Sequence, residues 1–232
     1  MQPARRTRGR DWNAMKRNYV ENIGNAFREL KAYDNERGGT YELRGVSFTA
    51  DSPYIFGTPN SRYIDAEIQW YETRDQRVQT LFDIYGKEVE IWKNVATDGW
   101  VNSQYGHRIY DRHEGLMSQY QAVYKELWDK PESRQAVMYY VPLHIHASKN
   151  KDHICTTSVQ YFINEDNYLE TVVNMRSNDA IFGYMNDIAW QKHVQYSLCM
   201  DLSHAHLNIK PGPITWQAGS LHIYSRHYDL IV

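Results

Sequence analysis

The second half of the chain alternates between strand-like and helical runs in a way that restricts the possible folds. From Gln135 onward, four runs are rich in β-branched and aromatic residues, as strands are: QAVMYYVPL, HICTTSVQYFIN, NYLETVVNMRS and PITWQAGSLHIYS. A single helical run, NDIAWQKHVQYSLCMDL, separates the last two. Such strands pair into one sheet, and the helices cover it. We therefore expect an α+β fold with a large, mostly contiguous β-sheet.

The first half is predicted to be mainly helical. Apolar residues recur at helical spacing in three runs: NYVENIGNAFRELKAYD, RYIDAEIQWYET and GLMSQYQAVYKELWD, the last of which ends before Pro131. In the second run, Ile64, Ile68 and either Trp70 or Tyr71 are expected to face the core. Between the first two runs, TYELRGVSFTA alternates like a strand. No period dominates from Gly86 to Asp111.

The chain is expected to form a single domain. No repeat or low-complexity linker divides residues 19–232. The run ARRTRGR indicates a solvated, mobile basic tail over residues 1–18, with docking to a polyanion as the alternative. The formal net charge of −2 favours neither a nucleic-acid nor a membrane partner.

Two absences point to a cytoplasmic protein. No run approaches the roughly 18 apolar residues of a membrane-spanning helix. The basic N-terminus lacks the apolar region of a signal peptide. We therefore expect Cys155 and Cys199 to be free thiols, so that any functional role would depend on the reactivity of the thiol.

Taken one at a time, the candidate functional residues are ambiguous. Cys155 is either a buried structural cysteine or a nucleophile that needs nearby cations. Glu67 directly precedes the apolar Ile68 in a helical run, and this spacing favours a carboxylate in water. The alternative is a catalytic acid in a cleft. The histidines match no zinc signature, so we expect no metal and interpret them as surface or hydrogen-bonded side chains: His144, His146, His153, His204 and His206. Phosphate loops rich in glycine are missing, so arginines would have to bind a phosphate.

The order of several motifs along the chain is more specific than any one of them. Those motifs are DAEIQWY, EIWKNVA, NSQYGHRI, DKPESRQAVMYY, CTTSVQYF, MRSNDAIFGYMNDIAWQ and GSLHIYSRH. In this order they resemble the thymidylate synthase superfamily, from about Arg37 to Tyr228. Within it, the runs PYIFG, NMRSND and GSLH resemble the deoxycytidylate (dCMP) hydroxymethylases encoded by phages.

The resemblance implies a fold, a reaction and partners. The fold would be thymidylate synthase-like, with a mixed sheet covered by helices. The substrates would be dCMP and 5,10-methylenetetrahydrofolate, and the enzyme would act as a homodimer in the cytoplasm of an infected bacterial host. Other nucleotide-synthesis enzymes would be possible further partners.

The resemblance also assigns roles to individual residues. Cys155 matches the nucleophile, Glu67 the acid that organises water and relays protons, and Tyr105 a tyrosine beside the nucleophile. The residues matching nucleotide-binding positions are Arg176 and Ser177 for the phosphate, Arg134 from the partner subunit, Arg37 from a loop, and His222 and Tyr224 for the ribose. Those matching the folate site are Asp179 and Trp92, with Gly183 letting the backbone approach the ligand.

Asp187 is the position that indicates the base. Thymidylate synthases carry asparagine there, whose amide can donate to the uracil carbonyl and accept from N3–H. An ionised carboxylate only accepts, so it fits the amino group of cytosine and a protonated N3. Asp187 therefore predicts cytosine. The alternatives are a hydroxymethylase or methylase that acts on dUMP or CMP and, from another class, a catalytically inactive binding protein.

Overall fold

The computed structural model describes residues 18–32, 39–112, 115–141, 151–204 and 208–232. The helices in these ranges are α1 (Val20–Ala32), α2 (Ser61–Thr73), α3 (Val78–Tyr85), α4 (Glu90–Val95), α5 (Tyr105–Tyr110), α6 (Gln119–Asp129) and α7 (Phe182–His204). The strands are β1 (Thr40–Thr49), β2 (Val137–Tyr139), β3 (Thr156–Ile163), β4 (Tyr168–Asp179) and β5 (Lys210–Tyr224), and a 3₁₀ helix covers Ser225–Leu230. None of the described helices is long and apolar enough to cross a membrane.

The strands form one mixed sheet, which confirms the predicted α+β fold. Their order is β1-β5-β4-β3-β2. β4 and β5 run parallel, whereas the other neighbouring pairs are antiparallel. A parallel pair needs a long crossover, and α7 supplies it between β4 and β5. The strand from the first half, β1, adds to the sheet beside β5.

Helix α7 is buried on several sides because it lies between the sheet and the other helices. Its fully buried side chains include Tyr184, Ile188, Trp190 and Leu198. Gln195 Nε2 donates to the carbonyls of Leu169 and Gly212 and to the Thr171 hydroxyl, at 2.8, 3.1 and 3.0 Å. A buried amide paired in this way fixes α7 on β4 without leaving a polar group unsatisfied.

The predicted helices α1, α2 and α6 are confirmed. The inward face of α2 was predicted correctly for Trp70 and Tyr71 but wrongly for Ile64 and Ile68. Ala66, Glu67, Trp70 and Tyr71 are its buried residues. Ile64 and Ile68 are only partly buried, because they lie at the margin of this stripe. The first β-run of the second half also pairs as a strand only over Val137–Tyr139.

The face of the sheet that meets α7 changes near the end of β4. Buried residues alternate along β4 as far as Met175, and the next buried position is Asn178. The same slip occurs in β5, between Ala218 and Leu221. The β3–β4 register shifts nearby, between Thr156 and Ser158. The slip turns Asn178 toward α7, although strict alternation would point it to the opposite face.

Candidate active site

Five side chains from different elements meet beside the first turns of α7. They are Cys155 just before β3, Arg176 on β4, Asp187 on α7, Glu67 on α2 and Tyr105 on α5. Asp187 interacts electrostatically with Cys155, Glu67 and Tyr105. All five were predicted to be site residues.

The half-buried thiol of Cys155 lies beside a cation. Arg176 Nη2 is 3.7 Å from Sγ and donates to the His153 carbonyl at 3.0 Å. The Arg176 backbone N–H also donates to the Cys155 carbonyl at 2.7 Å. Burial nevertheless raises the pKa of the thiol to about 11, aided by Asp187, while Arg176 opposes the shift. The expected arginine effect is therefore present, but burial outweighs it.

A buried carboxylate anchors the segment that carries Cys155. Asp152 accepts from the Ser103 backbone N–H at 2.6 Å and from the Ser103 hydroxyl at 2.7 Å. Its own carbonyl accepts from Asn102 Nδ2 at 3.0 Å. These bonds join the Cys155 segment to the start of α5, where Tyr105 lies. Asp152 was not predicted as a site residue, because nothing in the run KDHIC shows that it pairs with Ser103, 49 residues away.

Glu67 is buried, so the interpretation of a carboxylate in water is wrong. Its Oε1 accepts from the Tyr63 hydroxyl at 2.6 Å and from Trp92 Nε1 at 3.2 Å. Trp92 Nε1 also lies 2.8 Å from the Tyr63 hydroxyl. Burial raises the pKa of Glu67 to about 7, although both hydrogen bonds favour the ionised form. This acid can therefore hold or release a proton near neutral pH.

Asp187 is the second acid of the site. Burial raises its pKa to about 8, and the charge of Glu67 adds to this shift. Hydrogen bonds from Tyr105 and Asn178 oppose the shift, and Asn178 Nδ2 lies 2.7 Å from Oδ2. The neutral acid is therefore the main form of Asp187 at neutral pH, and the expected ionised carboxylate is corrected.

Tyr105 connects the acid to the nucleophile strand. Its hydroxyl hydrogen-bonds both Asp187 and Thr156, the residue after Cys155. Its ring stacks on Tyr71 with 5.2 Å between centroids. Because these rings are buried, the hydroxyl has a fixed position.

The outer part of the site lies at the ends of β4 and β5. Asp179 is opposite His222 in the sheet, and its Oδ1 accepts from the Ile181 N–H at 2.9 Å. The rings of His222 and Tyr224 are in edge contact at 4.8 Å. Burial lowers the pKa of His222, so its ring is neutral at neutral pH. Ser177 is a neighbour in the same part of β4.

Two of the predicted residues, Gly183 and Arg134, are placed differently from the rest. Gly183 faces protein atoms, since a Cβ there would be 3.2 Å from both Asn178 Nδ2 and the Asp179 Cβ. Arg134 is exposed and precedes β2, away from its own Cys155. Arg37 lies outside the described residues, as do His144, His146, His206 and residues 1–17 of the predicted tail.

Comparison with known proteins decides the family. The thymidylate synthase family model matches residues 58–232. The chain belongs to the thymidylate synthase family. It is 41% identical over 217 residues to the deoxycytidylate 5-hydroxymethyltransferases of Enterobacteria phages T4 and T2, which covers 90% of this chain and 86% of theirs.

More distant members of the thymidylate synthase family agree. The thymidylate synthase of Fusobacterium nucleatum is 29% identical over 168 residues, which is 72% of this chain and 58% of that protein. The structure of the thermostable thymidylate synthase A from Bacillus subtilis superimposes with a TM-score of 0.69 at 17% identity, covering 91% of this chain and 82% of that one. These comparisons confirm the predicted thymidylate synthase-like fold.

Both cysteines of this thymidylate synthase family member are free thiols. Among the described residues, no group of three or more His, Cys, Asp or Glu side chains could hold a metal ion.

Proposed function

We propose that this chain is a dCMP hydroxymethylase. It transfers a one-carbon unit from 5,10-methylenetetrahydrofolate to carbon 5 of dCMP, and water completes the hydroxymethyl group, leaving tetrahydrofolate. The observation that carries the proposal is the buried acid Asp187 beside Cys155. The 41% identity to phage deoxycytidylate 5-hydroxymethyltransferases supports the same substrate.

The hydrogen-bonding groups of Asp187 match those of cytosine. A neutral carboxylic acid offers one O–H donor and one carbonyl acceptor. Cytosine offers the complement, an acceptor at N3 and a donor in its amino group. Asp187 donates to N3 and accepts from the amino group, which is equivalent to a carboxylate facing a protonated N3. In either form the ring gains the positive character that favours attack at carbon 6.

Cys155 starts the reaction as a nucleophile. Its Sγ forms a bond to carbon 6, and the electron pair of the ring double bond then makes carbon 5 nucleophilic. Carbon 5 attacks the methylene group and loses its proton, and the bond between the transferred carbon and the folate nitrogen breaks, so that tetrahydrofolate leaves. Water then adds to the transferred carbon and gives up a proton, and the Sγ–carbon bond breaks as the ring double bond re-forms. Arg176, 3.7 Å from Sγ, stabilises the thiolate that attacks in the first step and leaves in the last.

Glu67 handles the proton of the attacking water. With a pKa of about 7 it is divided between its two forms near neutral pH, which suits a general base. Tyr63 and Trp92 hold its Oε1 in place. The other oxygen is left for water.

The remaining assignments follow the family. Arg176 and Ser177 bind the phosphate, His222 and Tyr224 the ribose hydroxyl, and Asp179 and Trp92 the folate. The neutral ring of His222 fits a hydroxyl partner better than an anion. Arg37 is a further phosphate ligand in this proposal. No metal takes part, and the enzyme works in the cytoplasm of the infected host beside other nucleotide-synthesis enzymes.

The position of Arg134 supports a homodimer with shared sites. The Arg134 carbonyl accepts from Gln160 Nε2, and Gln160 is opposite Val137 in the antiparallel β2–β3 pair. Arg134 therefore lies toward the Ile163 end of β3, whereas Cys155 precedes the other end. The five residue steps from Cys155 to Gln160 span roughly 17 Å, about twice the reach of an arginine side chain. Arg134 can bind a phosphate only in the site of a second subunit.

Release of tritium from carbon 5 tests the proposal. The protein is incubated with 5,10-methylenetetrahydrofolate and with dCMP, dUMP or CMP that carries tritium at carbon 5. Cys155→Ala is the control. We expect the fastest release from dCMP and none from the variant. Faster release from dUMP would show that Asp187 is misinterpreted, and no release from any nucleotide would favour a binding role.

A further inference from the structure

Asn178 is the buried neighbour of Asp187 that has no assigned role. It lies next to the last residue of β4 and is only 2% exposed. Its Nδ2 donates to Asp187 Oδ2 at 2.7 Å. Its own Oδ1 is buried and has no hydrogen-bond partner among the described residues. Burying an amide with an unpaired oxygen is costly. The Asn178 side chain is therefore best explained by the hydrogen bond that its Nδ2 donates to Asp187.

A neutral Asp187 alone would not distinguish cytosine from uracil. The proton of a carboxylic acid can sit on either oxygen. With the proton on the oxygen facing N3, the acid matches cytosine. With the proton on the oxygen facing position 4, the same acid donates to the uracil carbonyl and accepts from N3–H. Discrimination by mismatch therefore needs something that makes the two oxygens different.

We propose that Asn178 is the positioning residue that sets base selectivity, because its donated N–H keeps Asp187 Oδ2 an acceptor and confines the acid proton to Oδ1. Oδ2 has a second lone pair, and it faces the exocyclic position of the base. Cytosine donates an amino N–H to that lone pair, whereas uracil presents a carbonyl oxygen there. The inference rests on the proposed function and deepens it.

Gly183 supplies the room for this arrangement. It lies in the first turn of α7, and a Cβ on it would be 3.2 Å from Asn178 Nδ2, tighter than ordinary contact. Asp187 Oδ2 is 3.9 Å from the same point. Gly183→Ala therefore displaces Asn178 Nδ2 without removing this donor. Because alanine has a higher helix propensity than glycine, the variant should keep α7 folded.

The test compares the affinities for dCMP and dUMP without folate, by calorimetry, in the native protein and in Asn178→Leu. Leucine has the same branched skeleton of four heavy atoms and no donor. Asn174→Leu is the matched control, since Asn174 is on the same strand and donates instead to Ser158 at 3.2 Å. Loss of one buried hydrogen bond corresponds to about tenfold. We expect Asn178→Leu to lower the ratio of dCMP to dUMP affinity about tenfold, Gly183→Ala to lower it in the same direction, and Asn174→Leu to leave it unchanged.

A pH series separates this role from simple packing. Removing the donor removes a bond that favours the ionised acid, so the neutral form of Asp187 should persist to higher pH in Asn178→Leu. Because other titrating groups face Asp187, the series is repeated in Glu67→Gln. Those groups are Glu67 and Tyr71 on α2, Tyr105 on α5, Asp179 on β4, Cys155 before β3 and Tyr140 after β2.

The outcomes distinguish the inference from the function on which it rests. A native protein that does not prefer dCMP contradicts both. If the native protein prefers dCMP, but Asn178→Leu weakens both nucleotides equally with an unchanged pH profile, Asn178 only packs, and the inference alone is wrong. A lowered ratio together with the shifted pH profile supports it.

Discussion

At the scale of single residues, the site is defined by two buried acids with different neighbours. Glu67 is held by a tyrosine and a tryptophan, and Asp187 by a tyrosine and an asparagine. Burial raises the pKa of both, to about 7 and about 8. Glu67 is divided between its two forms near neutral pH and can exchange a proton with water, whereas Asp187 keeps its proton for the base. Two similar side chains therefore perform different tasks because of their partners.

Glu67→Gln should change both the activity and the pH dependence of stability. The pKa of Glu67 is raised above its unfolded value, so its contribution to stability is present below about pH 4.5 and is lost as the pH rises toward 7. Glutamine does not ionise, so the variant avoids this loss in the free energy of unfolding, which is on the order of 3 kcal/mol. We expect the variant to lose less stability than the native protein between pH 5 and 8 in urea unfolding, and to lose at least about 100-fold in turnover.

Glu72→Gln is the matched control for this prediction. Glu72 is also on α2, but it pairs with His193 on the surface at 2.7 Å. It should leave turnover close to the native value. Parallel stability curves for the native protein and Glu67→Gln would show that Glu67 is not desolvated in solution.

At the scale of elements, the sequence predicted the helices and strands whose apolar residues recur with a regular period. The runs that became α1, α2, α6, α7 and the strands of the second half were identified from their patterns. No prediction covered α3, whose sequence VQTLFDIY is short and rich in β-branched and aromatic residues, so helix and strand are hard to distinguish. The motif order predicted most of the site, including Cys155 and Asp187.

Asn178 and Asp152 show why the rest could not be predicted. Asn178 reaches Asp187 only because the burial pattern of β4 slips by one residue after Met175. Asp152 is important through a partner on a distant segment. Neither the slip nor the long-range pairing leaves a periodic signal in the sequence. The burial of Glu67 is a tertiary effect of the same kind, since spacing alone favoured water.

At the scale of the whole molecule, the sheet separates Arg134 from the nucleophile of its own chain. The two residues lie near opposite ends of β3. A second copy of the chain is therefore part of the proposed active unit. In a symmetric dimer each subunit gives its Arg134 to the other site and receives one in return.

Mixed dimers test this exchange of residues. Arg134→Ala and Cys155→Ala are each expected to be nearly inactive at limiting dCMP. After the two variants are unfolded together and refolded, half of the dimers contain both chains, and one of their two sites is intact. We expect about one quarter of the native activity. Activity no higher than that of the separate variants would show that Arg134 is not shared.

The mass of the product tests the central claim most directly. The protein is incubated with dCMP and 5,10-methylenetetrahydrofolate in water labelled with heavy oxygen, and the nucleotide is analysed by mass spectrometry. The account predicts dCMP with one added CH₂O unit that carries the heavy oxygen, and no such product from Cys155→Ala. A product with one added CH₂ unit, or dUMP converted faster than dCMP in the same mixture, would contradict it.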